Sequence, residues 1–411
     1  MANVVVIGGG ASGMMAAGTA AFYGANVTLL EKNSRTGRKI LVTGKGRCNI
    51  TNNCDVDTFI ANVPTNPRFL YSAINNFDTQ DAIRFFNELG VATKVERGNR
   101  VFPVSDRAMD VADAMYSYVK SNGVNVVEST ACTLLTENNK IIGVIDTKGR
   151  EYKADSVIIA TGGLSYPATG STGDGYKLAR SVGHTVTELK PSLVGLVSSD
   201  RFCKDLQGLS LRNVSLTAYE NHKEIFNDFG EMLFTHNGIS GPLVLSASSH
   251  MRKFGKAEYY VTIDIKPALS VEKLDLRLQK DFANHCNNQI NNSLKELLPK
   301  KLIPVILDLW GVDSTKKCNS ITKEERFALN NLLKNFTVNI KSPASIKEAI
   351  ITSGGVSTKE ITPKTMESKL VQGLFFCGEV IDVDAYTGGF NLQIAYSTGS
   401  LAGYYSAIKE G

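Results

Sequence analysis

Val4-Val5-Val6-Ile7-Gly8-Gly9-Gly10-Ala11-Ser12-Gly13 is the stretch that decides the fold class. Its β-branched apolar run is the mark of a buried strand, and it breaks into Gly8, Gly10 and Gly13 at G-x-G-x-x-G spacing. Residues 14–23 are rich in Ala and Met and suit a helix packed closely on a sheet. Residues 27–30 form a second apolar strand, with Glu31 at its C-terminal end and Lys32 beyond it. Each position has a physical task. Gly8 permits the strand-to-helix turn, Gly10 lets a pyrophosphate approach the amides at the helix N-terminus, and Gly13 lets helix and strand touch. Glu31 stands 18 residues past Gly13, near the distance of about 20 at which an acid accepts hydrogen bonds from a ribose. The unit predicts a Rossmann-like α/β domain with a dinucleotide site.

At 411 residues the chain exceeds what one core usually holds, so two or three domains are expected. A hydrophobic content of 43% with 21% charged residues is that of a globular protein. No apolar run approaches the ~20 residues of a membrane span. The first strand follows the initial Met without a basic-then-apolar leader, which predicts a cytoplasmic protein with no membrane partner. Seven scattered cysteines suit reduced thiols rather than a disulfide framework. No Cys/His set has ligand spacing, so no metal is expected. The net charge of +5 tolerates an anionic partner such as nucleic acid without demanding one.

Residues 33–53 form a loop of glycines and cations with little apolar periodicity. Residues 78–89 and 108–121 read as amphipathic helices, the second leading to a strand at 124–127. Residues 131–135, the turn at Asn138-Asn139, 141–147 and the turn at Lys148-Gly149 make a β-meander. It enters a buried strand at 155–163 that ends in Thr161 and Gly162. From about 191 to 265 short alternating strands appear (211–219, 258–265), and 270–336 is Lys-, Asn- and Leu-rich with helical spacing. A strand running into glycine returns at 374–379, with a final helix at 391–405. The predicted organisation is a discontinuous nucleotide domain (1–190 and 350–411), a β-rich insert (191–269) and a helical lobe (270–349).

Three glycine-punctuated segments favour FAD over NAD. NAD-binding domains usually need the first alone, whereas the longer FAD calls for a second contact near the C-terminus. Cys377-Gly378-Glu379, with Asp382 and Asp384 after it, fits that contact. Tyr386-Thr-Gly-Gly-Phe-Asn-Leu-Gln393 then begins a helix whose amides would favour negative charge on a reduced flavin.

Arg35-Thr-Gly-Arg-Lys-Ile-Leu-Val-Thr-Gly-Lys-Gly-Arg-Cys-Asn-Ile-Thr-Asn52 resembles the signature loop of the BaiN/aminoacetone-oxidase-type FAD-binding proteins, a family that includes a ribosomal-RNA dihydrouridine synthase. Segments 98–105, 230–242, 352–356 and 378–393 resemble the family's other blocks in its order. The resemblance spans essentially the whole chain. It implies a discontinuous FAD domain, a β-barrel-like insert and a helical lobe. Carried over to this sequence, it implies flavin contacts at Ala11, Ser12, Glu31, Arg38, Lys39, Asn49, the backbone near Cys132, Gly378, Glu379, Asn391, Leu392 and Gln393.

The loop makes physical sense without the family. Arg38, Lys39, Lys45 and Arg47 place four cations within ten residues, interleaved with Gly37, Gly44 and Gly46, where they can neutralise a pyrophosphate or face the flavin's N1–C2=O edge. The bland reading is a solvated basic loop. Cys48 and Cys54 invite comparison with a redox-active pair, but the spacing and the intervening Asn-Ile-Thr-Asn-Asn favour a buried or flavin-adjacent thiol at Cys48. Tyr386 and His236 are candidate proton donors, against packing-wall and turn-orienting readings respectively. The Lys- and Asn-rich stretches of the helical lobe offer a face for RNA but lack interleaved aromatics, which favours a solvated surface.

The resemblance implies reduction of a C=C bond conjugated to a carbonyl. Hydride would leave flavin N5, an acid would protonate the α-carbon, and NAD(P)H would reload the flavin without a second Rossmann domain. The substrate is a small-molecule enone of the 3-oxo-Δ4,6 bile-acid-type steroid kind, or uridine in rRNA. The alternatives are an aminoacetone-type flavin amine oxidase and a non-catalytic flavin-binding RNA or ribosome-associated protein.

Overall fold

The computed structural model describes residues 1–408, which divide into two compact units: Met1–Ser192 together with the described part of Ile346–Gly411, and Leu193–Ser345. The first unit is organised by a five-stranded parallel sheet in the order Leu374–Phe376, Ser156–Ile159, Asn3–Ile7, Asn26–Glu31, Asn125–Glu128. The first strand of the chain lies at its centre, with Val5 opposite Val157 on one side and Thr28 on the other. Covered on both faces, it reads as a continuous apolar run instead of alternating. Val4, Val5, Val6 and Ile7 are all at most 5% exposed, and each such side chain contributes roughly 1.5–3 kcal/mol by burial.

The helix after the first strand, Ala11–Phe22, packs on the last helix, Phe390–Ala407, through small residues. A Cβ on Gly399 would lie 2.5 Å from Ser12 O, and one on Gly403 would lie 2.4 Å from Ala16 O. Only glycine at those two places lets the backbones approach so closely. Two ends of the chain are thereby locked around the nucleotide-binding turn. The helix Ala108–Ser121 and the meander 131–153 occupy the segments where the sequence places them.

The second unit is a closed six-stranded barrel: Leu196–Ser198, Gly238–Ser240, Lys223–Thr235, Ser210–Glu220, Tyr259–Asp264 and Phe336–Pro343, in spatial order. This differs from the expected three-part organisation. Residues 336–343 lie in the stretch assigned to a helical lobe. They alternate Phe336, Val338 and Ile340 inward with Thr337, Asn339 and Lys341 outward, and pair with both 259–264 and 196–198 to close the barrel. The helices Val271–Asn284, Ile303–Trp310 and Lys323–Lys334 share one apolar core with the barrel strands, so 191–269 and 270–349 are not separate bodies. Physically, the strand that seals the barrel arrives only after the helices, and neither part buries its apolar face alone. A helix at Pro242–Ser248 also interrupts what the sequence reads as strands only.

Candidate functional site

A cavity lies wholly within the first unit. Its floor is the turn Gly8–Gly10 and the first residues, Ala11 and Ser12, of the helix Ala11–Phe22. That helix has no side-chain cap and no acid in its first turn, so its N-terminus presents amides and positive potential to the cavity.

One wall is organised by Glu31, which is buried. Its Oε2 accepts from Gly9 N–H at 2.7 Å, and its Oε1 accepts from Asn33 N–H at 2.8 Å and Asn33 Nδ2 at 2.6 Å. Asn33 Oδ1 in turn accepts from Arg38 Nη1 at 2.7 Å. A carboxylate offers about four lone-pair sites, so one remains for a ribose hydroxyl. Lys32 is tied to Asp174 at 2.8 Å and to Thr172. The link between the strand Asn125–Glu128 and the meander contributes Ser129 and Thr130, the meander's first residue Ala131 joins them, and the loop after the 156–159 strand contributes Thr161, Gly162, Thr169, Gly170 and Ser171.

The opposite set comes from the loop after the second strand (Arg38, Lys39, Ile40, Thr43) and from the returning C-terminal segment. There Glu379 lines the cavity with Ile350, Ile351, Val383, Asn391 and Leu392, and pairs with Lys39 at 2.6 Å. Asn391 closes on the preceding turn: Oδ1 accepts from Ala385 N–H at 2.9 Å and Nδ2 donates to Ala385 O at 2.7 Å. It thereby sets the backbone of Tyr386, whose N–H donates to Asn62 O at 3.0 Å.

Two features test whether FAD fits. A Cβ on Gly10 would meet nothing within 4 Å, so the space over the helix amides is open to a pyrophosphate. Thr161 Oγ1, on the cavity wall, is buried and has no hydrogen-bond partner among the described residues, as a group awaiting a ligand would be. With a continuous cavity that joins the first glycine turn to Glu379, the residues fit FAD.

The comparisons with known proteins agree with this geometry. The profile described as "HI0933-like protein Rossmann domain" matches residues 2–405. The chain belongs to the HI0933-like family. The chain is similar to the 3-dehydro-bile acid delta(4,6)-reductase of Clostridium scindens, 34% identical with 100% of both chains covered. It is also similar to the ribosomal RNA dihydrouridine synthase of Escherichia coli, 30% identical with 96% of both covered. Among solved structures, 3-ketosteroid delta1-dehydrogenase from Sterolibacterium denitrificans covers 99% of this chain and 100% of its own at a TM-score of 0.53 and 13% identity, a likeness of fold.

Not every residue expected at the cofactor reaches the cavity. Gly8, Gly10, Ala11, Ser12, Glu31, Lys32, Arg38, Lys39, Thr161, Gly162, Glu379, Asn391 and Leu392 line it; Gly13, Gly44, Asn49, Cys132, Gly378, Asp382 and Gln393 stand outside the lining. Each of the latter has a local setting. Gly13 abuts Gly8 O, where a Cβ would lie at 1.8 Å, and a Cβ on Gly378 would lie 2.4 Å from Ser12 Oγ. Gly44 packs beside Asn49 N and Phe102. Asn49 Oδ1 is buried and unpartnered among the described residues. Cys132 is exposed, and its neighbour Ala131 faces the cavity instead. Asp382 O accepts from Asn66 Nδ2 at 2.7 Å. Gln393 is fully buried: Oε1 accepts from Thr51 Oγ1 at 2.6 Å, and Nε2 donates to Asp78 O at 2.9 Å and Phe77 O at 3.0 Å. It locks the last helix to the N-terminal half.

The cationic loop also divides. Arg38 and Lys39 reach the cavity, whereas Arg47 is engaged by Glu96 and by Asp106 at 2.6 Å, and Lys45 is exposed. Burial pushes the Cys48 thiol up to about 12 and the Cys54 thiol up to about 11, which leaves no thiolate at neutral pH. His236 is exposed in the tight turn between strands 223–235 and 238–240 of the second unit. Among the described residues no cluster of His, Cys, Asp or Glu is placed to hold a metal, and no helix is long and apolar enough to cross a membrane. Sequence reading missed Ser129, Thr130 and Thr169 to Ser171, whose only signal is their position just after two of the sheet's strands, where α/β folds place ligands.

Proposed function

We propose that this chain is an FAD-dependent oxidoreductase that reduces a C=C bond conjugated to a carbonyl. The observation that carries this reading is the single cavity joining the fingerprint turn to Glu379 and Lys39, in a chain similar end to end to a delta(4,6)-reductase and a dihydrouridine synthase. Those two names describe unlike substrates and one chemistry, addition of hydrogen across a ring C=C bond. FAD, when bound, supplies the two-electron transfer.

The chain's own residues do the rest. The amides at Ala11 and Ser12 receive the pyrophosphate, Glu31 orients the ribose, and Lys39 offers a cation to the cofactor. Tyr386, half-buried beside the turn stapled by Asn391, holds a phenolic proton for the substrate α-carbon. NAD(P)H is the electron donor and binds transiently, since the sequence carries one dinucleotide fingerprint. All seven cysteines are free, which supports action in a reducing cytoplasm.

Anaerobic stopped-flow absorbance tests the reading. The flavin should bleach with NADPH or NADH and recover with a 3-oxo-Δ4,6 steroid or with an unmodified rRNA fragment, and the acceptor that works names the substrate. No bleaching by either nicotinamide would overturn the reductase reading; bleaching by an amine instead would make the chain an oxidase, and RNA affinity without reduction would make it a binding protein.

A further inference from the structure

Glu379 lines the cavity, yet its oxygens are engaged by protein donors. Oε2 accepts from Lys39 Nζ at 2.6 Å, and Oε1 accepts from Ser165 Oγ at 2.8 Å and Thr352 N–H at 2.9 Å. Lys39 Nζ also donates to Ser165 Oγ at 2.7 Å, which closes a three-membered ring of hydrogen bonds. Thr352 Oγ1 backs the ring by accepting from Leu164 N–H at 2.8 Å and Ser165 N–H at 3.1 Å. Ser165 and Thr352 are 0% exposed, and the Glu379 side chain is 13% exposed. Even the backbone is shaped for the cluster: a Cβ on Gly163 would lie 2.4 Å from Thr352 Oγ1 and 2.6 Å from Glu379 Oε1.

An acid in a cavity for a doubly anionic pyrophosphate is costly unless it is neutralised. Here it is neutralised by Lys39, and the pair joins the two chain segments of the first unit, residue 39 to residue 379. An ammonium carries three N–H bonds. Two of Lys39's are engaged by Glu379 and Ser165, and one is left in a side chain that faces the cavity. A free lysine loses rotamer entropy when it is fixed by a ligand. The brace removes that loss before the ligand arrives.

We propose that Lys39 is the preorganised donor to the cofactor and that Glu379 is a positioning residue, acting on FAD only through Lys39. This assigns Glu379 a role other than the direct flavin contact expected of its place in the sequence. It rests on the FAD reading above.

A double-mutant cycle on the FAD dissociation constant of the full-length protein tests it, with flavin fluorescence as the readout. Lys39→Met and Glu379→Gln should each weaken FAD about tenfold, the loss of one charge-assisted bond. The double variant should also lose about tenfold, because both changes remove the same contact. Lys39→Arg should retain affinity within a few-fold when Glu379 is present and lose it in the Glu379→Gln background, a dependence that a purely structural role would not produce. A double variant weakened about a hundredfold, the product of two independent contacts, would overturn the assignment and make Glu379 a direct ligand. If Glu379→Gln fails to fold by circular dichroism, Ser165→Ala in the same cycle with Lys39→Met replaces it, removing one anchor and leaving both charges. Wild-type protein that takes up no FAD would instead defeat the cofactor reading itself.

Discussion

Replacing Gly10 by Ala should separate cofactor binding from folding. Gly10 is the N-cap of the helix Ala11–Phe22, at φ −78° and ψ −171°, an extended conformation that alanine adopts without strain. Its added Cβ would meet no heavy atom within 4 Å, so the folded protein has room for it. Alanine restricts the unfolded chain, which stabilises by about 0.4–1 kcal/mol, and caps a helix less well than glycine, which costs a similar amount. Stability should therefore move by less than about 1 kcal/mol, a Tm shift of roughly 4 °C or less. The same methyl stands at the cavity floor beside the amides of Ala11 and Ser12. A phosphate oxygen at the hydrogen-bonding distance of about 2.9 Å cannot share that space. Losing one or two charged hydrogen bonds of about 1.5–3 kcal/mol each weakens FAD roughly 10- to 10⁴-fold. The assay is an FAD titration by flavin fluorescence, paired with thermal unfolding of flavin-free protein. Wild-type affinity in Gly10→Ala would refute the pyrophosphate assignment. A Tm loss above about 8 °C would refute the claim that the position is open. Gly13→Ala is the contrasting control: its Cβ would lie 1.8 Å from Gly8 O, so it should destabilise by at least the ~1–3 kcal/mol of an overpacked core.

Other outcomes follow from single groups. Glu31→Ala leaves the Gly9 N–H without its acceptor in a buried place, and should cost about 1–3 kcal/mol of stability as well as FAD retention; wild-type values of both would remove Glu31 from its role. Tyr386→Phe should keep the flavin spectrum and slow only transfer to the substrate, measured by stopped flow; unchanged turnover would return the ring to a packing role. Burial holds the His184 imidazole below its ordinary pKa, against the opposing pull of Glu360 at 3.2 Å, while Nε2 sits 2.8 Å from Ser368 Oγ. With the folded pKa below the unfolded value of about 6.5, the unfolded chain binds the proton first, so stability is full above that pH and falls as pH drops through it. Thermal unfolding at pH 7.5 and 5.5 should show a larger Tm loss in wild type than in His184→Gln, and equal losses would show that another group governs the pH dependence.

The N-terminal βαβ unit was legible because its information is local. A buried strand, a glycine spacing and an acid are fixed within 31 residues, and the structure puts Gly8, Gly10 and Glu31 on one cavity. The helix at 108–121 was equally readable, since its apolar positions follow one period and its ends carry their own signals. The second glycine turn could be recognised at Gly378-Glu379, but its chemistry could not. Whether Glu379 faces a ligand or a lysine depends on residues 39, 165 and 352, which are brought to it by the sheet and by the locked terminal helices.

The same distinction explains the barrel and the residues outside the lining. Phe336–Pro343 carries a clear alternation, yet nothing local says that its partners are 196–198 and 259–264 rather than neighbours in the helical stretch. Gln393 and Asn391 lie two residues apart at the start of one helix. The helical turn sends one side chain into the core, onto Thr51 and Asp78, and the other to the cavity wall. The nucleotide fold, the glycine floor and the acid that organises its first wall could all be read from the chain's residue order, because those are properties of short range and fixed period. Tertiary structure alone decided which cations reach the cavity, which carboxylate is neutralised and which strand closes the barrel, because each depends on a contact between segments that only folding brings together.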